Sequence, residues 1–151
     1  MHRFIIQRTV AKVFLPKNTD LRTWAKSTLE NVTTPTETTI RIVSREEMTT
    51  LNERYRKKVG HTNVLSFPFE VHEDVDLGHT ILGDIVICAD VVNDEALQQQ
   101  KDKQAHWAHM VIHGMLHLQG YDHEDEDEAH VMETREITIM EKLKFPNPYT
   151  K

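Results

Sequence analysis

Three histidines carry the most specific chemistry in the chain. His113 and His117 stand four residues apart, so on a helix they project from one face, one turn apart. Two imidazoles placed that way can share a metal ion. Gly120 can adopt the left-handed conformation that reverses a chain after a helix, and the reversal brings His123 back as a third ligand. Three neutral ring nitrogens leave one tetrahedral position open, the pattern of a catalytic zinc rather than a structural one. Three imidazoles also suit nickel or copper. His106 and His109 lie on roughly the same stripe just upstream. They are alternative ligands by position, but the Gly120 turn favours the downstream trio, which makes His109 a supporting or lining group and puts His106 on a solvated face.

The three histidines and Gly120 match the metzincin protease pattern H-E-x-x-H-x-x-G-x-x-H. The glutamate of that pattern, its general base, is Gly114 here. Peptide hydrolysis by that mechanism therefore lacks its proton acceptor, unless a carboxylate from elsewhere, such as Asp84, replaces it. Asp84 sits in an apolar stretch, where a carboxylate is costly unless paired. It is expected to orient a ligand histidine or to bond a neighbouring backbone. A metal held by three imidazoles can polarise a phosphoryl oxygen or lower the pKa of bound water to about 7. Arg54, Arg56, Lys57 and Lys58 form the only dense basic cluster. The fork of Arg56 can hold two phosphate oxygens at once. Six acids between Asp122 and Glu128 would repel a nucleic-acid strand and read as a helix start. Asp122 is expected to shape the turn before His123, with Tyr121 in the core.

The elements that must position these residues follow from periodicity and breakers. His2 to Val13 reads as an opening strand, with a helix from the Asn18-Thr19-Asp20 caps to about Val32. Thr38 to Val43 alternates as a half-buried strand. Ser44-Arg45-Glu46-Glu47 is a capping box opening a helix to about Lys58, broken by Gly60. Asn63 to Phe69 reads as a strand ending near a sheet edge at Pro68, and His79 to Ala89 as a central strand. An acidic loop, Glu70 to Gly78, joins them. Asp90 caps a further helical region, a clear helix runs from Asp102 to Leu118, and a last one from about Asp125 to Leu143. Met132, Ile137 and Met140 of that helix are expected to face the core. The order βαβαββαα implies an α+β (α/β) domain, residues 1–151, with one small mixed sheet covered by helices and the metal cleft between helix and sheet.

Composition sets the bounds. The chain has 151 residues, 38% hydrophobic and 28% charged, with a formal charge of -6, so nucleic-acid binding must come from a local patch. One cysteine, Cys88 in an apolar run, excludes an internal disulfide and a cysteine-based zinc site, and reads as an inert core thiol. Arg3, Arg8 and Lys12 interrupt the apolar residues at the N-terminus, which is neither a signal h-region nor a membrane span. The expected location is the cytoplasm, with no membrane association.

His113 to His123 resembles the signature H-G-x-L-H-L-x-G-Y-D-H of the YbeY family of bacterial endoribonucleases at every fixed position. Leu51-Asn52 with Tyr55-Arg56, then Thr62-Asn63-Val64-Leu65-Ser66-Phe67-Pro68, is similar to the family's LN-x-x-YR…TDVLSFP segment, and Leu82-Gly83-Asp84-Ile85 to its LGDI strand. Asn63 departs from the aspartate of many members, which puts a role for that carboxylate in doubt. The resemblance implies a metal-dependent endoribonuclease preferring single strands. It implies action in ribosomal RNA maturation, notably at the small-subunit RNA 3′ end, and in removal of defective ribosomes. It implies contacts with the small subunit and assembly factors. It also implies a metal, usually zinc, on His113, His117 and His123, with Arg56 needed for activity. The competing expectations are another metallohydrolase such as a protease, and a non-catalytic ribosome-assembly factor with a structural metal.

Overall fold

The computed structural model describes residues 1–55, 62–69 and 79–150. Arg56, Lys57, Lys58, Gly60 and the acidic loop 70–78 lie outside the described residues. The elements are β1 (His2–Arg8), α1 (Asn18–Ser27), β2 (Thr36–Val43), α2 (Arg45–Tyr55), β3 (Val64–Pro68), β4 (Thr80–Cys88), α3 (Ala89–Gln98), α4 (Lys103–Leu118) and α5 (Glu126–Lys142). The class is α+β, and the described residues form one four-stranded mixed sheet in the order β1-β2-β4-β3. β1, β2 and β4 run parallel, and β3 pairs antiparallel on the edge of β4. The edge suits Pro68, which has no N–H to give a ladder.

Alternation along the strands divides the core in two. Ile40, Ile42, Ile85 and Ile87 turn to the face covered by α1 and α4, where Trp24, Trp107, Ile112 and Met115 pack. Val43, Val86 and Cys88 turn to the other face, where Met48 of α2 and Leu65 join them. Cys88 is fully buried, and burial pushes its thiol pKa up, consistent with an inert core thiol.

Several boundaries differ from expectation for identifiable reasons. β1 ends at Arg8, and Lys12 beyond it takes a left-handed φ of 63°. α1 ends at Ser27, where the Thr28 hydroxyl donates to the Ala25 carbonyl at 2.8 Å and competes with the helical bond. The region after β4 is a separate helix, α3, so the order is βαβαββααα. Asp90 lies in its first turn rather than at its cap, which is Cys88. Gln100 at φ 55° ends α3, and the Asp102 carboxylate restarts the chain by accepting from Ala105 N at 3.1 Å. At α2 the Ser44 hydroxyl accepts from Glu47 N at 3.2 Å. The reciprocal half of the capping box is not made among the described residues, because Glu47 turns to Arg41 at 2.7 Å.

Two glycines set how closely the layers approach the cleft. A Cβ on Gly114 would stand 2.8 Å from Ile85 Cγ2, so α4 lies directly on β4. Gly83 has φ +138°, and a Cβ there would stand 2.2 Å from the Phe67 carbonyl oxygen. It sits at the register shift between β2 and β4 and lets β3 close on β4.

Candidate metal centre and cleft

The end of α4 builds the site. After Gln119, Gly120 turns to φ +99°. Gly120 N donates to His117 O at 3.1 Å and Tyr121 N to Leu116 O at 3.0 Å, the paired bonds that close a helix through a left-handed residue. Tyr121 packs against the main core and fixes the turn. Asp122 then accepts from His123 N at 2.8 Å, so it shapes the turn before that residue.

This reversal brings His113, His117 and His123 together. Their candidate ligand nitrogens all lie within 4.8 Å of one another. His113 Nε2 and His117 Nε2 are 3.1 Å apart. Burial pushes the His117 pKa down, and His113 and His123 push it the same way, against Asp122 and a bond to the Tyr121 backbone. A neutral imidazole is the form a metal needs. Three mutually close ring nitrogens, two half-buried and one exposed, fit a divalent transition metal in composition and spacing.

Behind His113 lies a carboxylate that sequence reasoning missed. Glu136 of α5 is 1% exposed. Its Oε2 pairs with His109 Nε2. Its Oε1 accepts from the Tyr149 hydroxyl at 2.9 Å and faces His113 Nδ1 at 3.5 Å. Burial pushes its pKa up, but the hydrogen bonds from His109 and His113 outweigh this and hold it down to about 2. Burial pushes His109 down despite Glu136, and burial with the Glu136 charge pushes the Tyr149 hydroxyl well up. At neutral pH the group is a carboxylate facing a neutral imidazole and a phenol. His109, His113 and Glu136 form a second set of candidate ligand atoms within 4.8 Å. The buried stripe of α5 runs Met132, Glu136, Ile139, Met140. An acid four residues from Met132 and from Met140 was the available signal. Ile137, expected in the core, is only half-buried.

His106 is not on a solvated face: it is 3% exposed, and its Nε2 lies 3.0 Å from Glu95. The Trp107 and Asn93 side chains bond across α3 and α4 at 2.7 Å, which draws this helix face inward. Glu95 also accepts from the Asn63 amide, at 3.2 Å to each oxygen. Burial raises the Glu95 pKa, and the bonds from His106 and Asn63 bring it net below 4.5. The pair therefore stabilises the fold above about pH 4.5, and the contribution is lost as pH falls through the lower folded-state value. Asn63→Asp replaces the donor by a second carboxylate. It should cost about 2 kcal/mol at pH 7, with the loss shrinking toward pH 4 and largely cancelled by Glu95→Gln. Denaturant melts across pH check this.

The histidines open on a cavity of about 740 Å³, walled by Asn52, Val64, Ser66 and Pro68 on one side and His113, His117, His123 and Asp122 on the other. Ser66 donates to the Gly114 carbonyl at 3.3 Å and joins the walls. Asp84 is elsewhere. It shares its sheet face with Val86 and Cys88, away from α4, is exposed and bonds Thr39. It therefore neither orients a ligand histidine nor stands as a substitute base. Burial raises its pKa, opposed by the Thr39 bond. Arg54 is exposed in the last turn of α2. Asp125 caps α5 by accepting from Glu128 N at 2.8 Å, so the acidic run is a helix start. No described helix is long and apolar enough to cross a membrane.

A protein-family model described as endoribonuclease YbeY matches residues 6–144. The chain is 53% identical to an endoribonuclease YbeY from Nitrosococcus oceani over 144 residues, 95% of this chain and 94% of that one. It is 56% identical to an endoribonuclease YbeY from Methylococcus capsulatus over 135 residues, 89% and 87% of the two chains. Its fold is similar to the solution structure of TM1509 from Thermotoga maritima, with a TM-score of 0.57 at 24% identity and all of both chains covered.

Proposed function

The chain belongs to the YbeY endoribonuclease family, and on that premise we propose that it is a single-domain, zinc-dependent endoribonuclease cutting single-stranded RNA at the three-histidine cleft. The observation that carries the reading is the convergence of His113, His117 and His123 on a cavity of about 740 Å³ whose opposite wall is an edge strand. A divalent metal on these imidazoles supplies Lewis-acid stabilisation of phosphoryl charge. The chain's own residues hold the imidazoles in place through the Gly120 turn, shape the slot with Ser66 and Pro68, and keep acids on one rim. Arg56 is proposed to hold the scissile phosphate. Its neighbour Tyr55 ends α2, whose Asn52 lines the cleft.

Ribosomal RNA is the proposed substrate, at the small-subunit RNA 3′ end and in ribosome quality control, with the small subunit and assembly factors as cytoplasmic partners. The protease alternative finds no support, since Gly114 has no room for a glutamate and Asp84 faces away. The test is cleavage of end-labelled single-stranded RNA beside the same RNA in a duplex, with chelator and then returned zinc. Chelator-sensitive, zinc-restored cutting of the single strand is expected, reduced on the order of 10²-fold or more by Arg56→Ala. Cutting that ignores chelator contradicts the reading.

A further inference from the structure

We propose that Glu136 is a positioning residue for His113, and that Tyr149 holds Glu136 to that task, so that the segment following α5 tunes the affinity of the metal site. The inference rests on the metal-site reading above. A carboxylate 1% exposed on an otherwise apolar helix stripe destabilises a fold unless its lone pairs are used.

The groups that use them are specific. A carboxylate only accepts, so each ring nitrogen facing it must carry a proton. His109 therefore donates from Nε2, and His113 presents Nδ1–H, at 3.5 Å. That tautomer leaves the His113 Nε2 lone pair free, and Nε2 is the atom that faces His117 at 3.1 Å. A carboxylate on the far nitrogen of a ligand imidazole fixes both ring orientation and tautomer. At 3.5 Å, this contact acts through orientation more than through bond strength.

The remaining partners hold Glu136 still. The His109 ring packs edge-on against His113 and Tyr149, with centroids 6.2 and 5.4 Å away. Its Nδ1 is buried with no partner among the described residues, a cost that a phenylalanine spacer would not incur. Tyr149 arrives from beyond α5 on a strap tied down by Lys101, whose Nζ donates to the Pro148 carbonyl at 2.7 Å. Its hydroxyl gives Glu136 its shortest contact outside the His109 pair, at 2.9 Å.

The test is a competitive titration of Zn²⁺ against a chromophoric chelator for the parent, Glu136→Gln, Tyr149→Phe, the double variant and His117→Ala. It is paired with ¹⁵N-histidine spectra of the metal-free proteins. Glutamine keeps one acceptor but turns a donor toward one of the two rings. The zinc Kd should rise about 10- to 100-fold in Glu136→Gln and by a smaller factor in Tyr149→Phe. The double variant should be no weaker than Glu136→Gln alone. The parent His113 should carry its proton on Nδ1, and the variants should show a mixture. Should Glu136→Gln fail to fold, Tyr149→Phe decides: unchanged affinity with an unchanged His113 tautomer overturns the proposal. Parent-like zinc binding in Glu136→Gln overturns it likewise. Zinc lost from Glu136→Gln but kept by His117→Ala overturns it by moving the metal to His109, His113 and Glu136. A parent that binds no zinc overturns the metal-site reading itself.

Discussion

Replacing His117 by alanine should raise the zinc Kd on the order of 10²-fold or more while the metal-free protein stays folded. Four-ligand zinc sites bind with about 10–16 kcal/mol, or about 3 kcal/mol for each ligand. His117 is the middle member of the trio, with ring centroids 4.6 Å from His113 and 5.0 Å from His123. Without it, His113 and His123 face each other at 5.6 Å and offer only two nitrogens. The fold gives up little, because the ring is half-buried at the cleft wall and the Gly120 turn closes through backbone bonds. The metal-free melting temperature should stay within about 4 °C of the parent. Chelator competition with melts on the same samples checks both halves. Parent-like zinc affinity in His117→Ala would place the metal elsewhere.

Gly114→Glu, which restores the glutamate of the metzincin pattern, should cost the fold roughly 3–5 kcal/mol and bring no peptidase activity. The position is buried, and even a methyl there would stand 2.8 Å from Ile85 Cγ2 and 3.2 Å from Cδ1. A glutamate must push α4 off β4 or bury its carboxylate against an isoleucine. Gly114→Ala isolates the steric part. It gains about 1 kcal/mol of helix propensity and loses about 1–3 kcal/mol to overpacking. Ile85→Ala removes the clashing atoms, so Gly114→Ala should be better tolerated in that background, a coupling measurable by denaturant melts. Unchanged stability of Gly114→Glu would contradict the packing of α4 on β4. Moving α4 also moves His113 and the Ser66 bond to Gly114 O.

The trio was legible in the sequence because its geometry is local. Two histidines one helical turn apart and a glycine-led reversal involve eleven consecutive residues, and none needs a distant partner. The edge position of β3 was legible for a similar reason, through Pro68. Glu136 and Tyr149 were not, because they reach His113 and His109 only when α5 and the segment after it pack on α4. No spacing rule spans 23 residues for Glu136 and His113, or 40 for Tyr149 and His109. The burial of His106 likewise depends on Glu95 from α3, a helical region that was expected after Asp90 but not counted as a separate helix in the order. For Asp84 only the ligand-orienting and substitute-base options fail, because a strand's two faces are both apolar here and pattern alone could not say which face it joins; a structural role stands in its bond to Thr39. Asn63, a departure from the family pattern, finds its physical counterpart in Glu95, beside which an aspartate would be repelled. Arg56 lies outside the described residues, and its proposed role rests on its fork chemistry, its basic cluster and the resemblance.

The most direct measurement is cleavage of a labelled single-stranded RNA by the zinc-loaded parent and by His117→Ala, purified side by side. The account predicts cutting by the parent and a loss on the order of 10²-fold or more in the variant, with both proteins equally folded. Equal cutting by the two would separate the nuclease from the three-histidine cleft and contradict the central claim.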